Sequence, residues 1–252
     1  MMPRAFFSIA LVLSLGLGGC STKPVIVSGD GPEEPVFTSE RLIASDVESP
    51  FQINDPLEGF NRTMYRFNYH ADRWVLMPAV RTYRFLIPQP LRTGVRNFFN
   101  NFFNIRTVFN QVLQGRPVRA MQTTGRFAVN TTLGIAGLFD VATHAGMPYH
   151  REDFGQTLGV WGFGPGAYLV LPFFGPSNIR DGAGLAVDSA FQSWLDPLNF
   201  DDHPSRQYIY YPLMILDTRD KVAFQYFRTG SPFEYELVRR LILTVREIEV
   251  AK

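Results

Sequence analysis

Residues 96–104 read R-N-F-F-N-N-F-F-N. On a helix, Phe98, Phe99, Phe102 and Phe103 share one broad face, with Phe109 further along. Asn97, Asn100, Asn101 and Asn104 take the remainder. Asparagine is a poor helix former in mid-helix. Two settings suit this pattern. Phenylalanine with neutral amides and flanking arginine fits the boundary between acyl chains and headgroups in a bilayer. It also fits a core helix with a polar back. The two settings turn opposite faces inward.

Working outward, this helix starts near Pro90 and runs to about Leu113, with Gly115 past its end. Ahead of it stands N-D-P-L-E-G-F-N-R, residues 54–62, where order begins. Asp55 suits an N-cap, Pro56 the first turn, and Glu58 a capping box. Leu57, Phe60, Met64, Phe67, Ala71 and Trp74 then follow a 3-4-3-4-3 spacing, one helical stripe that Pro78 should end. Beyond the Phe/Asn helix, Pro117 opens another to about Thr132. The pattern carries on as helix through residues 133–142, weakened by Gly134 and Gly137. Residues 168–171 read as a short strand or hairpin arm, broken at Pro172. Ser177 caps a helix to about Phe191, in which Gly182 and Gly184 permit close packing. A further helix spans about 205–228 with a kink at Pro212. The last begins at a second capping box, S-P-F-E at 231–234, with Phe233, Leu237, Leu241, Val245 and Ile248 on one stripe. The class is all-α with one short hairpin.

The N-terminus has a different composition. Arg4 is the first charge, residues 5–17 are mostly apolar, and Gly18, Gly19 and Cys20 follow. This is the layout of a secretory signal peptide, and its apolar run is too short for the ~20 residues that span a bilayer. Leu17-Gly18-Gly19-Cys20 resembles the lipobox of bacterial lipoproteins, in which the cysteine is lipidated and becomes the mature N-terminus. Cys20 is the only cysteine in the chain, so an intramolecular disulfide is excluded. The plainer alternative is an unused thiol. Each buried methylene is worth about 0.8 kcal/mol, so two or three acyl chains, palmitate among them, hold a protein firmly to a membrane. Ser21 follows the cysteine, in place of the aspartate that commonly retains such proteins at the inner membrane. By that resemblance the expected location is the periplasm-facing inner leaflet of an outer membrane. Residues 20–53 are rich in Pro, Ser, Gly and acid and read as a lipidated N-terminus and flexible tether. The domains expected are thus 1–19, 20–53 and 54–252.

Charge is distributed unevenly. Residues 59–126 hold 11 arginines, no lysine and one acid, Asp72. Extracytoplasmic location argues against nucleic acid, which leaves lipid phosphates as the anionic partner or acids elsewhere in the chain as ion-pair partners. From Phe127 to Ile179 only Asp140, Arg151, Glu152 and Asp153 are charged. That segment is either core or in contact with lipid or a membrane partner.

Enzyme signals are weak. No G-x-S-x-G elbow occurs. G-F-G-P-G-A at 162–167 lacks the strand and helix of a dinucleotide loop. His70, His144, His150 and His203 fit no zinc spacing, so neither metal nor cofactor is expected.

Four strings then agree with one family. N-D-P-L-E-G-F-N-R-T-M-Y-R-F-N (54–68), V-N-T-T-L-G-I-A-G-L-F-D-V-A (129–142), E-D-F-G-Q-T-L-G-V-W-G (152–162) and Y-L-V-L-P-F-F-G-P-S-N-I-R-D-G (168–182) resemble the VacJ family, also called MlaA. The resemblance implies a ring- or disc-like helical domain embedded in the inner leaflet of the outer membrane, with an amphipathic channel. It implies removal of mislocalised phospholipid from the outer leaflet and delivery to a soluble periplasmic carrier, in association with a trimeric porin and without enzyme activity. The alternatives are a lipid-modifying hydrolase or a structural porin-associated lipoprotein. For the channel or gate, the resemblance and the glycine content single out Phe60, Asn61, Gly162, Gly164, Gly166, Pro172, Gly175 and Arg180. The stretch 162–175 is expected beside the channel, either flexing as a gate or standing as a fixed wall. Phe60 and Asn61 would position the first helix, or simply pack and hydrogen-bond. Arg180 would meet lipid phosphate or pair with Asp181 or another acid.

Replacing Cys20 by alanine should remove the acyl mass and release the protein from membranes. Mass spectrometry of the membrane fraction checks this, and an unchanged, membrane-bound product would contradict the lipoprotein reading.

Overall fold

The first predicted stripe forms a helix and turns the other way. A computed structural model describes residues 54–196 and 198–252; Cys20, the leader and the tether lie outside the described residues. Helix α1 (Glu58–Ala71) buries Asn61, Tyr65, Asn68 and Tyr69. Its predicted apolar stripe faces out, with Leu57, Phe60, Phe67 and Trp74 all exposed. Asp55 stands before the helix and its Oδ1 accepts the Leu57 N–H (3.2 Å), while the same carboxylate is also bonded by Asn61, Tyr235 and Arg239.

Pro78 does not end this helical run either. A π-helical turn, Asp72–Leu76, intervenes, and helix α2 (Met77–Leu86) continues with Pro78 at its second position. The wider turn has already interrupted the i→i−4 ladder, so the missing proline N–H costs little there.

Helix α3 (Gln89–Leu113) is the Phe/Asn helix. It buries one of its phenylalanines, Phe99, together with Asn101, Asn104, Thr107, Asn110 and Gln111. Asn101 and Asn104 point inward, and Phe98, Phe102, Phe103 and Phe109 are half-buried, so neither setting describes the helix alone. Helix α4 (Pro117–Thr132) returns antiparallel to α3 and buries Ala120, Thr123, Arg126 and Asn130. Asn101 on α3 bonds Thr131 on α4 across this pair (2.9 Å).

The helix expected over 133–142 breaks. Ile135, Ala136 and Gly137 adopt positive φ, and only Val141–His144 (α5) is helical. At Gly137 φ is +88°, and a Cβ would fall 2.7 Å from the Asn101 side chain, so the turn requires glycine. Arg126 and Asn130 of α4 grip this turn through Asp140, Thr143 and the Met147 carbonyl.

Helix α6 (Phe154–Val160) precedes the hairpin of β1 (Tyr168–Leu171) and β2 (Gly175–Asn178), which pairs antiparallel from Tyr168–Asn178 to Leu171–Gly175. Ser177 lies in β2. The cap of helix α7 (Ile179–Leu195) is Asn178, whose Oδ1 accepts the Asp181 N–H at 2.8 Å. Gly184 lets α7 meet α6 backbone to backbone: a Cβ there would lie 2.2 Å from the Gly155 nitrogen. A 3₁₀ turn (Pro204–Arg206) leads into helix α8 (Gln207–Lys221), which contains Pro212.

α8 stops seven residues before the expected Arg228. Further on, helix α9 (Glu234–Ala251) begins with a residue that accepts from Phe227 N, Thr229 N, Thr229 Oγ1 and the Tyr65 hydroxyl. Glu234 thus folds 227–229 around its carboxylate instead of completing a capping box at Ser231. The α9 stripe also faces outward: Leu237, Leu241, Val245 and Ile248 are exposed, while Glu234, Tyr235, Glu236, Val238 and Arg239 are buried.

One apolar cluster sits between α1, the hairpin and α9. It consists of Tyr65, Tyr69, Tyr168, Val170, Phe227, Tyr235 and Val238. Tyr65 meets Tyr226, Phe227 and Tyr235 edge to face, with centroids 4.8–5.7 Å apart.

Asn61 joins this core to the hairpin. Its Nδ2 donates to the Asp55 carboxylate (2.9 Å) and the Tyr168 carbonyl (3.0 Å), and its Oδ1 accepts from Val170 N (2.8 Å). Asn61→Ala should cost about 2–4 kcal/mol, because it leaves buried backbone groups of β1 unpaired. Thermal unfolding in detergent micelles measures this, and an unchanged midpoint would mean that the amide carries no load.

Candidate functional site

The distribution of polarity is the main feature of the described residues. Thirteen hydrophobic side chains are buried, 22 polar or charged ones are buried, and 34 large hydrophobic ones are exposed. A water-soluble domain does the reverse. The exposed set includes Trp74, Phe85, Met121, Leu133, Phe174 and Trp194. The charge-poor stretch 127–179 contributes Leu133, Ile135, Phe139, Phe163, Phe173 and Phe174 to it, and Tyr168 and Val170 to the core. No helix among the described residues is long and apolar enough to cross a membrane.

The interior is a polar network built from sequence-distant pieces. Gln114 Nε2 donates to Thr157 Oγ1 (3.1 Å), Thr157 to Asn110 Oδ1 (2.7 Å), and Asn110 Nδ2 to Asp188 (3.0 Å). Asp188 also accepts the Phe154 N–H (3.0 Å). One chain of bonds therefore ties α3, α6 and α7 together. Nearby, burial pushes the Asp188 carboxyl up, against the pull of Arg106, and pushes the Arg106 guanidinium down. That pair stays loose, at 3.9 Å. Glu152, also pushed up by burial, sits between Arg116 (3.4 Å) and Arg119 (3.7 Å).

The arginine excess of 59–126 is met largely inside the molecule. Arg84, Arg92 and Arg96 converge on Asp220 at 2.5, 3.0 and 3.1 Å. Arg62 pairs with Glu58 and Glu236, and Arg126 with Asp140 at 2.6 Å. With Arg106, Arg116 and Arg119, at least eight of the 11 have carboxylate partners, so ion pairing accounts for most of this excess.

Some buried atoms in the interior lack partners. On α3 these are Arg96 Nε, Asn104 Oδ1, Arg106 Nε, Thr107 Oγ1 and both polar atoms of the Gln111 amide, with Gln114 Oε1 just past its end. Leaving such a group unbonded costs about 1–3 kcal/mol. On the flank of the same helix, a cavity of about 440 Å³ opens between Ile105 and Val108 of α3, Thr124 and Phe127 of α4, and Leu195 of α7. Its lining is apolar except for Thr124.

The residues singled out in the sequence fall into three places. Phe60 lies on the outer face of α1, half exposed. Asn61 is fully buried against β1. The glycine-rich stretch forms the loop 162–167 and the hairpin. Asn68 stitches the hairpin to α1 as Asn61 does, donating to the Leu171 carbonyl (2.9 Å) and accepting the Phe173 N–H (2.7 Å). This bonding favours the fixed wall over the gate for the hairpin arms. Pro172 begins its tip, where Phe173 and Phe174 project outward. Gly175 and Gly166 take positive φ against Tyr226 and Ile179, whereas Gly162 and Gly164 have open space around them. Arg180 is buried under this loop. It pairs with Asp181 (3.1 Å) and reaches the Phe163 carbonyl (3.5 Å), the acid-pairing alternative for this residue.

Sequence reasoning missed Thr107, Asn110, Gln111, Gln114, Thr157 and Asp188. The signal for the α3 members is a polar periodicity, 101-104-107-111-114, running beside the phenylalanines that drew attention first.

Residues 53–249 match the MlaA lipoprotein family. The intermembrane phospholipid transport system lipoprotein MlaA of Escherichia coli (strain K12) is 42% identical over 148 residues, 56% of this chain. The chain spans 59% of the length of that relative. A Rickettsia bellii protein is 33% identical over 210 residues, covering 82% of this chain and 81% of its own length. A solved structure described as the structural basis for maintenance of bacterial outer membrane lipid asymmetry aligns at a TM-score of 0.64 and 34% identity, over 79% of this chain and 100% of that one. The match over residues 53–249, the Rickettsia bellii relative and the common fold agree: the chain belongs to the MlaA lipoprotein family.

Proposed function

We propose that this protein is a non-enzymatic lipid-transfer lipoprotein. It removes mislocalised phospholipid from the outer leaflet of the outer membrane and passes it to a soluble periplasmic carrier. The observation that carries the reading is the inverted polarity: apolar side chains outside, amides and ion pairs inside. A phospholipid needs both environments at once. Burying two chains of ~15 methylenes each is worth on the order of 20 kcal/mol. A route that keeps the tails on apolar surface while the headgroup meets polar groups avoids most of that barrier. The exposed phenylalanine, leucine and tryptophan side chains supply the first surface, and the α3–α4–α6–α7 interior supplies the second.

The reading places the protein in the inner leaflet, tethered through Cys20 and resting beside a trimeric porin. Its relatives' names, an intermembrane phospholipid transport system lipoprotein among them, support the substrate class. The residues of this site bind and position; none is assigned a bond-making role. Loop 162–166 closes the wall next to the buried Arg180, and the open space at Gly162 and Gly164 gives it the room to move that the hairpin arms lack.

The test reconstitutes the lipidated full-length protein with a trimeric porin in bilayers of labelled phospholipid and adds a lipid-free periplasmic carrier. Intact phospholipid on the carrier, dependent on this protein, is the expected result. Lysophospholipid or free fatty acid, identified by mass spectrometry, would mean a hydrolase instead. No transfer with any porin tried would favour a structural role.

A further inference from the structure

Cations gather where the α2–α3 turn meets the end of α8. The side chain of Asp220 is nearly fully buried, and three guanidinium groups close over it: Arg84 from the last turn of α2, Arg92 from the start of α3, and Arg96 one turn further on. Lys221 covers the equally buried Asp217 at 2.5 Å. Four cations thus stand over two carboxylates, a surplus of two positive charges. Arg219 close by adds nothing to it, being paired with Asp72. The surplus reaches the surface, because the side chains of Arg84, Arg96 and Lys221 are 47%, 37% and 28% exposed.

The carboxylates fix these cations more than they neutralise them. Asp220 accepts from Nε of Arg84, Nη1 of Arg92 and Nη2 of Arg96. The backbone carbonyls of Asp220 and Ile87 each take one more N–H, from Arg84 and Arg92. One terminal nitrogen of each arginine is left over among the described residues: Nη1 of Arg84, Nη2 of Arg92 and Nη1 of Arg96. Behind them two buried donors also lack hydrogen-bond partners, Arg96 Nε and the Tyr83 hydroxyl. Burial, with Asp217 and Asp220 beside it, pushes the Tyr83 hydroxyl up, so it stays a donor. Guanidinium planes held in place with N–H groups to spare match the oxygens of a phosphate. The setting is apolar. Phe85 and Leu86 follow Arg84, Leu91 precedes Arg92, and Val222 follows Lys221; they are 88%, 64%, 62% and 44% exposed. A free phosphate or an acidic protein surface has no use for that hydrocarbon. A phosphate that carries acyl chains uses both.

We propose that Arg84, Arg92, Arg96 and Lys221 hold the phosphate of an anionic phospholipid, phosphatidylglycerol or cardiolipin, as a resident lipid on the outside of the domain, with its chains along Phe85 and Leu86. This rests on the reading that the exterior lies in a lipid leaflet, and it does not concern the lipid that is transferred. The site discriminates by charge. An ethanolamine or choline lipid brings a cation of its own to a place that already has two in excess, whereas the two phosphates of cardiolipin match the surplus. The bound lipid pins the α2–α3 turn to the end of α8 at the level of the headgroups.

The test takes the full-length lipoprotein, delipidated in a neutral detergent, and follows its melting midpoint as lipid is added. Cardiolipin and phosphatidylglycerol should raise the midpoint saturably, while phosphatidylcholine and inorganic phosphate should not. Arg84→Gln leaves Asp220 paired with Arg92 and Arg96. Its midpoint without lipid should therefore hold, while its affinity for cardiolipin falls by about tenfold, the loss of one charge-assisted bond. A second measurement needs no variant: phosphatidylglycerol with a photoactivatable group on its headgroup glycerol should crosslink to residues 81–96 or 219–224 of the native protein. An equal rise with phosphatidylcholine would reduce the site to a general apolar belt, and a rise with inorganic phosphate alone would make it a free-anion site. Either would overturn the proposal, as would undiminished binding by Arg84→Gln or crosslinks confined to other segments. If Arg84→Gln does not fold, the crosslinks decide. A native chain that takes no anionic lipid here yet delivers phospholipid to the carrier would sink this site and leave the transport reading intact. One that binds cardiolipin here but moves no lipid would do the opposite.

Discussion

Everything in this fold follows from where hydrogen bonding is available. In water, a helix turns its apolar stripe inward because exposed hydrocarbon is costly. In lipid that gain vanishes, since acyl chains solvate leucine as well as another leucine does, and association relies on packing and polar contacts. α1 and α9 each carry a clear apolar stripe and each expose it, while α3 keeps its phenylalanines buried or half-buried. What they bring together instead are amides, carboxylates and guanidinium groups.

Such an interior must be satisfied group by group, because a half-bonded polar network is worse than an apolar one. The hubs are few. Asp55 collects Asn61, Tyr235 and Arg239; Glu234 collects Tyr65 and the 227–229 turn; Arg246 joins Asp153 to Asp181. Each connects elements far apart in sequence, so the two ends of the described chain, α1 and α9, are fastened to the hairpin and to α7. Unpaired buried atoms remain at Tyr83 Oη, Arg126 Nε, Tyr168 Oη and Arg180 Nη2 as well as at Asn104, Thr107 and Gln111 of α3.

Most helices were legible from the sequence. The 3-4 spacing located α1, prolines and glycine at 90, 115 and 117 bounded α3 and α4, the second capping box and its stripe located α9, and residues 168–171 were correctly read as a hairpin arm. The inward face was not legible, because periodicity shows that a helix has two faces and does not say which solvent meets either. The Asn-rich stretch held both answers, and its abundant phenylalanines concealed the polar repeat that turned out to be structural. Boundaries failed where a side chain far away in sequence decided them. Glu234 shaped the turn at 227–229, Asn101 and Arg126 the turn after α4, and the π-turn at 72–76 let helix pass through Pro78. Asn61 and Arg180 were picked out from the family resemblance, and the structure gives each a bonding role inside the fold.

The central claim is that the apolar exterior is solvated by lipid. The chain has three tryptophans, Trp74, Trp161 and Trp194, and all are exposed, at 69%, 49% and 80%. Their fluorescence can therefore report on the solvent directly. The protein would be reconstituted in bilayers with brominated acyl chains, and quenching compared with that by aqueous iodide. Strong quenching by bromolipid with little effect of iodide is the predicted result. Efficient iodide quenching with no response to bromolipid would put these faces in water and contradict the account.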